Sequence, residues 1–266
     1  MRIRNYSERT IKSYICSIGQ VAFHFKLAPG QVTLSQFKAF LYHLVNNENC
    51  SVSRINQNIS AWKILQQDIL GRKWESIKIK RPRREKKLPV VLSVSEALAL
   101  INAPLNEKHR TLLIFAYATG VRRNELLNIA IKDIDRKRGL IKIMGKGNKQ
   151  REVPLSPNLL NLLEKYYRRY RPSVFLFEGY VPGKSYSAAS MTKIVKDASG
   201  KVGIKKNISP HVLRHSFATH MLEEGVNLKR LQLLLGHSSM KTTSIYLHLA
   251  DIDKAQLPDL SAPLNN

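Results

Sequence analysis

Two strings near the C-terminal end carry the residue types of phosphoryl chemistry. One runs from Leu235-Gly236-His237 to Tyr246; the other is Ser209-Pro210-His211-Val212-Leu213-Arg214-His215. A phenol is a competent covalent nucleophile once activated, and a guanidinium fork matches the oxygens of a phosphate as an ammonium does not. Together they hold the parts needed to cut a phosphodiester through a covalent protein–phosphate link. His211 and Arg214 stand three residues apart, the spacing that puts two side chains on one helix face. Leu213 and Phe217 then turn toward a core, and Pro210 takes the helix start. His215 lies four residues from His211, but no third acidic or cysteine ligand has the spacing of a zinc site; His215 and His220 read as structural or exposed. Ser239 is placed to cap the last helix, with Tyr246 roughly two turns inside it. Taken singly, a tyrosine on an amphipathic helix reads as half-buried core.

Two further strings lie upstream. In Thr119-Gly120-Val121-Arg122-Arg123-Asn124-Glu125, Gly120 ends one helix and Arg122 begins the next. An arginine at such a corner can meet a phosphate beside free backbone N–H groups, or be an ordinary surface arginine. Glu125 either braces the site or makes a helix-start contact with the dipole. In Gly145-Lys146-Gly147-Asn148-Lys149-Gln150-Arg151, Lys146 stands at a hairpin tip whose glycines allow close approach to a ligand. A lysine there can protonate a departing oxygen, or be merely a solvated tip. The string lacks the spacing of a nucleotide-binding P-loop.

The remainder of the chain must position these residues. Its 266 residues suffice for about two domains. Lys and Arg number 44 against 19 acids, a net charge of +25 spread along the whole length, which points to a polyanion and fits nucleic acid better than a membrane patch. Cys16 and Cys50 are the two cysteines, so neither a disulfide scaffold nor a structural zinc is expected. The sequence has no apolar leader and no run of about 18 apolar residues; a cytoplasmic, DNA-associated protein is the expectation.

Apolar residues recur at helical spacing through Ile11-Tyr14-Ile18-Val21 after a cap at Ser7, through Leu34 to Val45, and from Ser51 through Trp62 and Leu65 toward Gly71. A basic run follows, with Lys80, Arg81, Arg83, Arg84, Lys86 and Lys87 around Pro82. It is either a solvated connector or, the reading favoured in a chain of this charge, a strap along a phosphate backbone. Ser93 to Glu96 is a capping box, and a helix from about His109 ends at Gly120. Ile131–Asp135, Leu140–Met144 and Arg151–Leu155 read as short hairpin-linked strands. From Ser156 the chain is mostly helical. The basic and aromatic stretch Lys165 to Arg171 either lines DNA or is a solvated helix face. The expected fold is therefore mainly α with a small antiparallel β-sheet. Its expected domains are a helical one over 1–77, a basic linker over 78–89 and an α+β one over 90–266.

The strings in this order, TGxRxxE at Arg122, GKGxKxR at Lys146, HxLRH at His211 and Arg214, LGH at His237, and a tyrosine nine residues later, resemble the tyrosine recombinase (phage integrase) family. The likeness is nearest to Xer-type recombinases and to integrases of mobile elements, and it covers essentially the whole chain. It implies a core-binding (SAM-like) N-terminal domain that closes a C-shaped clamp on double-stranded DNA with an integrase-type catalytic domain. It implies that Tyr246 forms a 3′-phosphotyrosyl link, without metal, ATP or any other cofactor. Arg122 and Arg214 would clamp the phosphate, Lys146 would protonate the leaving oxygen, His211 would act as acid/base toward the nucleophile, and His237 would bond the phosphate, with Glu125 in support. Lys149 and Arg151 join the linker cations as expected DNA contacts. Four protomers would assemble on paired sites, possibly with a second recombinase, in integration, excision or dimer resolution. The tail with Leu257, Leu260 and Leu264 either docks on a neighbour or frays. The competing readings are a noncatalytic DNA-binding accessory protein and a type IB-like topoisomerase; a metal-dependent nuclease lacks its carboxylate cluster.

Overall fold

The computed structural model describes residues 6–73, 88–145 and 149–250. The chain divides into two compact units, Met1–Lys86 and Lys87–Asn266. The linker cations Lys80, Arg81, Arg83, Arg84, Lys86 and Lys87, the hairpin residue Lys146, and the tail with Leu257, Leu260 and Leu264 lie outside the described residues.

The first unit is built from helices α1 (Glu8–Phe25), α2 (Leu34–Asn46) and α3 (Val52–Ile64). Each begins where a hydroxyl satisfies an amide that the first turn leaves free: Ser7 accepts from Thr10, Thr33 from Gln36, and Ser51 from Arg54. The apolar faces meet in a core around Val21, Phe37, Leu44, Ile59 and Trp62, where Phe37 and Trp62 stack with centroids 4.4 Å apart. The third helix does not run regularly to Gly71. A π turn, Leu65–Ile69, follows Ile64. Arg72 ties this end down by donating to the Gly30 carbonyl at 2.9 Å and to Gln66 Oε1 at 3.3 Å.

The second unit opens with α4 (Val94–Asn102), started by the reciprocal Ser93–Glu96 capping box. Helix α5 (Glu107–Thr119) begins two residues before His109, because the Asn106 side chain accepts from the amides of Lys108 and His109. It ends on Gly120 at φ +58°, where an added Cβ would lie 2.2 Å from the Phe217 ring. Glycine is needed there for both backbone sign and space. The short helix α6 (Arg123–Leu127) follows at once.

Strands β1 (Ile134–Asp135), β2 (Leu140–Met144) and β3 (Gln150–Pro154) form one antiparallel sheet in that order. The first strand is shorter than the sequence suggested. Ile131–Asp133 is a 3₁₀ turn held by the Asp133 carboxylate, which accepts from the Ala130 amide at 2.8 Å. Opposite Ile143 in the β2–β3 register stands Arg151, and opposite Ile141 stands Val153, so Arg151 points with the buried residues and not outward. The Gly145 amide donates to the Lys149 carbonyl at 2.8 Å and closes the ladder.

Helices α7 (Pro157–Tyr170), α8 (Ala188–Lys201), α9 (Pro210–Glu223), α10 (Leu228–Leu235) and α11 (Met240–Thr243) complete the unit. On α7 the basic side chains are taken up locally: Arg168 pairs with Glu164 and Arg169 with Glu107, while Tyr166 is buried. Residues 244–248 form a 3₁₀ turn, so Tyr246 sits there and not two turns into a regular α-helix. Among the described residues no helix is long and apolar enough to cross a membrane.

Candidate active site

The second unit converges on the C-terminal end of α10. The last carbonyls of a helix lack partners and carry the negative end of its dipole. Here three consecutive ones are each taken by an arginine from elsewhere. Arg151 Nε donates to Leu234 O at 2.9 Å, Arg214 Nη2 to Leu235 O at 2.7 Å, and Arg122 Nη2 to Gly236 O at 3.2 Å. Gly236 closes the helix at φ +62°, and an added Cβ would lie 2.9 Å from the Arg151 side chain. The glycine of the LGH string thus lets the arginines pack against the helix end.

Arg214 is the most deeply buried of the three, at 4% exposure. It also donates to Gly120 O at 2.7 Å, so the ends of α5 and α10 both face one cation. Burial lowers its pKa first and Arg122 adds to this, to about 10, which leaves it charged at neutral pH. Glu125 is the counterion of the cluster. Its carboxylate accepts from Arg151 through both terminal nitrogens at 3.0 and 2.7 Å, from Arg122 Nη1 at 2.7 Å and from the Arg122 amide at 2.9 Å. Burial would raise its pKa, but these hydrogen bonds and charges win and hold it down at about 2.

Arg151, an expected DNA contact, has its nitrogens engaged by Glu125 and by the end of α10, on the same carboxylate and helix end as Arg122. The signal was present in the alternation Arg151-Glu152-Val153, which puts the arginine on the inward face. Lys149 is exposed.

Tyr246 is 2% exposed and packs with Phe217, Leu231 and Leu235. Its hydroxyl lies 3.0 Å from His215 Nδ1. Burial raises the phenol pKa, and Arg214 and Arg122 oppose the rise. The His237 ring lies parallel to the phenol, 6.4 Å between centroids. Its Nε2 is 2.9 Å from Arg214 Nη2, and its Nδ1 is 2.9 Å from Thr243 Oγ1. An arginine has no lone pair to offer, so Nε2 must accept and Nδ1 carries the proton. Burial, then Arg214, lowers the His237 pKa to about 4, consistent with that neutral tautomer.

His211 is exposed, its pKa lowered by desolvation and by Arg123, Arg214 and Arg122. Among the described residues it makes no hydrogen bond to Tyr246; His215 occupies that place. His220 is structural, as expected, with Nδ1 2.7 Å from the Tyr117 hydroxyl and Nε2 donating to Leu92 O at 2.9 Å. Sequence reasoning missed Thr243, whose place behind His237 had no signal beyond its spacing. It also missed His215 at the phenol. No group of three or more His, Cys, Asp or Glu among the described residues could hold a metal ion.

Arg122, Arg214, His237 and Tyr246 are thus brought together by one unit, with Glu125 and Arg151 beneath them. Paired guanidiniums beside a phenol are the side chains that phosphoryl transfer through a covalent intermediate calls for. The comparisons agree with that chemistry. Residues 90–252 match the model of the phage integrase family, and residues 1–76 match the phage integrase N-terminal SAM-like domain. The chain is 37% identical over 226 residues to the tyrosine recombinase XerD of Staphylococcus epidermidis, covering 79% of this chain and 76% of that protein. It is 34% identical over 252 residues to the integrase/recombinase y4qK of Sinorhizobium fredii, covering 94% and 82%. Among solved structures, the XerA recombinase matches with TM-score 0.57 and 29% identity over 94% of this chain and 91% of that one. The XerH recombinase bound to its difH substrate after cleavage has the same fold, with TM-score 0.73 at 24% identity over 93% and 78%. The chain belongs to the phage integrase family, as a tyrosine site-specific recombinase of the Xer-like kind.

Proposed function

We propose that this recombinase breaks and rejoins double-stranded DNA through a 3′-phosphotyrosyl intermediate on Tyr246. The observation that carries the reading is the placing of the Tyr246 phenol beside Arg214 and His237, with Arg122 on the same helix end. Tyr246 attacks the scissile phosphorus, the 5′ oxygen leaves, and the two guanidiniums stabilise the charge that builds on the nonbridging oxygens. Arg122, a third exposed, and Arg214 are held rigidly beforehand, so little reorganisation is needed at the moment of reaction. His237 reaches a phosphate by giving up its bond with Arg214 and taking the tautomer that carries its proton on Nε2, which then donates to the ligand while Nδ1 accepts from the Thr243 hydroxyl. Lys146 is the proposed proton donor to the leaving oxygen.

The phosphotyrosine keeps the energy of the broken bond, so a 5′-hydroxyl of a second strand can reseal it without metal, ATP or other cofactor. Lys149 and the linker cations Lys80, Arg81, Arg83, Arg84, Lys86 and Lys87 are proposed phosphate contacts, and the unit over 1–77 a second DNA-binding element. Exchange between two duplexes calls for four active sites, hence a tetramer on paired DNA.

A nicked suicide substrate, from which the 5′ leaving strand diffuses away, tests the proposal. The unaltered protein should accumulate a covalent adduct on a denaturing gel, and Tyr246→Phe should form none. An undiminished adduct with Tyr246→Phe would remove Tyr246 as nucleophile. Plasmid relaxation without partner exchange would favour the topoisomerase reading instead.

A further inference from the structure

We propose that Thr243 is a positioning residue for cleavage: its buried hydroxyl serves His237 in both neutral tautomers, and so lets the ring pass from Arg214 to the phosphate without taking up charge. The inference rests on the reading of Tyr246 as nucleophile and of His237 as a phosphate contact, and adds the group that steers the second. Thr243 is 0% exposed, and its Oγ1 lies 2.9 Å from His237 Nδ1. It closes α11 and leads into the 3₁₀ turn of residues 244–248. The ring that meets the phosphate is therefore held by the same short run of chain that carries Tyr246.

A hydroxyl matters here because of what faces the other side of the ring. Arg214 Nη2 donates to Leu235 O at 2.7 Å and, with its remaining proton, to His237 Nε2 at 2.9 Å. While that bond holds, the ring proton is on Nδ1 and Thr243 accepts it. A phosphate oxygen is an acceptor, so Nε2 can meet it only as a donor. A carboxylate in the place of Thr243 would keep the proton on Nδ1, and the ring could then bond the phosphate only as an imidazolium. A hydroxyl accepts from Nδ1–H in one state and, after turning about its C–O bond, donates to the Nδ1 lone pair in the other. Between the two states Nδ1 loses one proton and Nε2 gains one, both exchanged with water at the half-exposed ring. Burial first, then Arg214, Arg122 and Arg151, lowers the His237 pKa to about 4, which favours a ring that stays neutral beside three guanidiniums.

The backbone of His237 does not depend on Thr243. Its amide donates to the Gln232 carbonyl at 3.1 Å, and its carbonyl accepts from Gln232 Nε2 at 3.0 Å. What the hydroxyl fixes is the rotation of the ring and the place of its proton. Removing it should leave the chain at His237 where it is.

The test pairs Thr243→Val, which keeps the shape and loses the hydroxyl, with Thr243→Ser, which keeps the hydroxyl, in the full-length protein. On the nicked suicide substrate at saturating DNA, Thr243→Val should form its adduct about 10-fold to 100-fold more slowly, as one buried polar group loses its partner. DNA affinity should be unchanged, because many phosphate contacts set it. Thr243→Ser should recover the rate to within about threefold. The spectroscopic readout is the nitrogen-15 signal of the His237 ring, assigned by its absence in His237→Gln. It is taken in the free protein and in Tyr246→Phe bound to the duplex on which the unaltered chain forms its adduct. The proton should sit on Nδ1 in the free protein and on Nε2 in the complex, with a neutral ring in both. Protons on both nitrogens in the complex, or a proton that stays on Nδ1, would overturn the proposal. So would a Thr243→Val rate within about threefold of the unaltered one, or a Thr243→Ser defect as large as that of Thr243→Val. If Thr243→Val does not fold, the spectra, recorded with Thr243 in place, decide alone. No adduct from the unaltered protein would instead sink the parent reading of Tyr246.

Discussion

Glu125 is the single carboxylate among three guanidiniums, and the cluster depends on it. With its side chain 6% exposed, removing it would leave Arg151, itself 11% exposed, as a buried charge without its counterion. Breaking a buried pair from one side costs about 3–5 kcal/mol, much more than the pair contributes relative to an apolar substitute. Glu125→Ala should therefore lower stability by about that amount in urea titration and abolish cleavage with it. The sign of the pH dependence follows from the depressed pKa. Glu125 contributes its full stabilisation above its ordinary value of 4.5 and loses it as pH falls through about 2. His215 and His237, both lowered from 6.5 to about 4, act in the same direction at higher pH, since the unfolded chain binds their protons first. The thermal midpoint should thus decline from pH 6.5 to 4 and fall further below 4.5, the latter part being reduced in Glu125→Gln.

At the scale of elements, the site is assembled by helix ends. The Gly120 corner turns α5 into α6 and aims a carbonyl at Arg214, while the Gly236 corner ends α10 and aims three carbonyls at three arginines. Gly120→Ala combines a left-handed backbone with a methyl 2.2 Å from Phe217 and should cost about 2–5 kcal/mol. Phe217→Leu in the same chain should return part of that loss, and a double-mutant cycle by thermal unfolding would measure the coupling. Much of this was legible beforehand. Capping residues Ser7, Ser51 and Ser93 marked helix starts, Gly120 and Gly236 marked helix ends, and the hairpin strands had their alternation. What sequence could not supply was competition for the same atoms. Asp133 bent the first strand into a 3₁₀ turn through the Ala130 amide. Tyr246 left the α-helical path for a 3₁₀ turn, which brought His215 and not His211 to its hydroxyl.

At the scale of the whole molecule the charge is the dominant fact. A net +25 on 266 residues predicts association dominated by phosphate contacts and counterion release. DNA affinity should fall on the order of 10³-fold or more between 50 and 200 mM salt if six or more phosphates are neutralised, measurable by fluorescence anisotropy on a short duplex. Specificity is then a small difference on a large nonspecific background, carried by few side chains.

The packing of Tyr246 bears on the idle protein as well. Tyr180 lies wholly on the surface, whereas the Tyr246 phenol proposed as nucleophile is almost wholly enclosed. A kinase, a nitrating oxidant or an activated acyl donor in the surrounding fluid meets the harmless ring first. A reagent that modifies accessible tyrosines should thus label Tyr180 well before the proposed nucleophile.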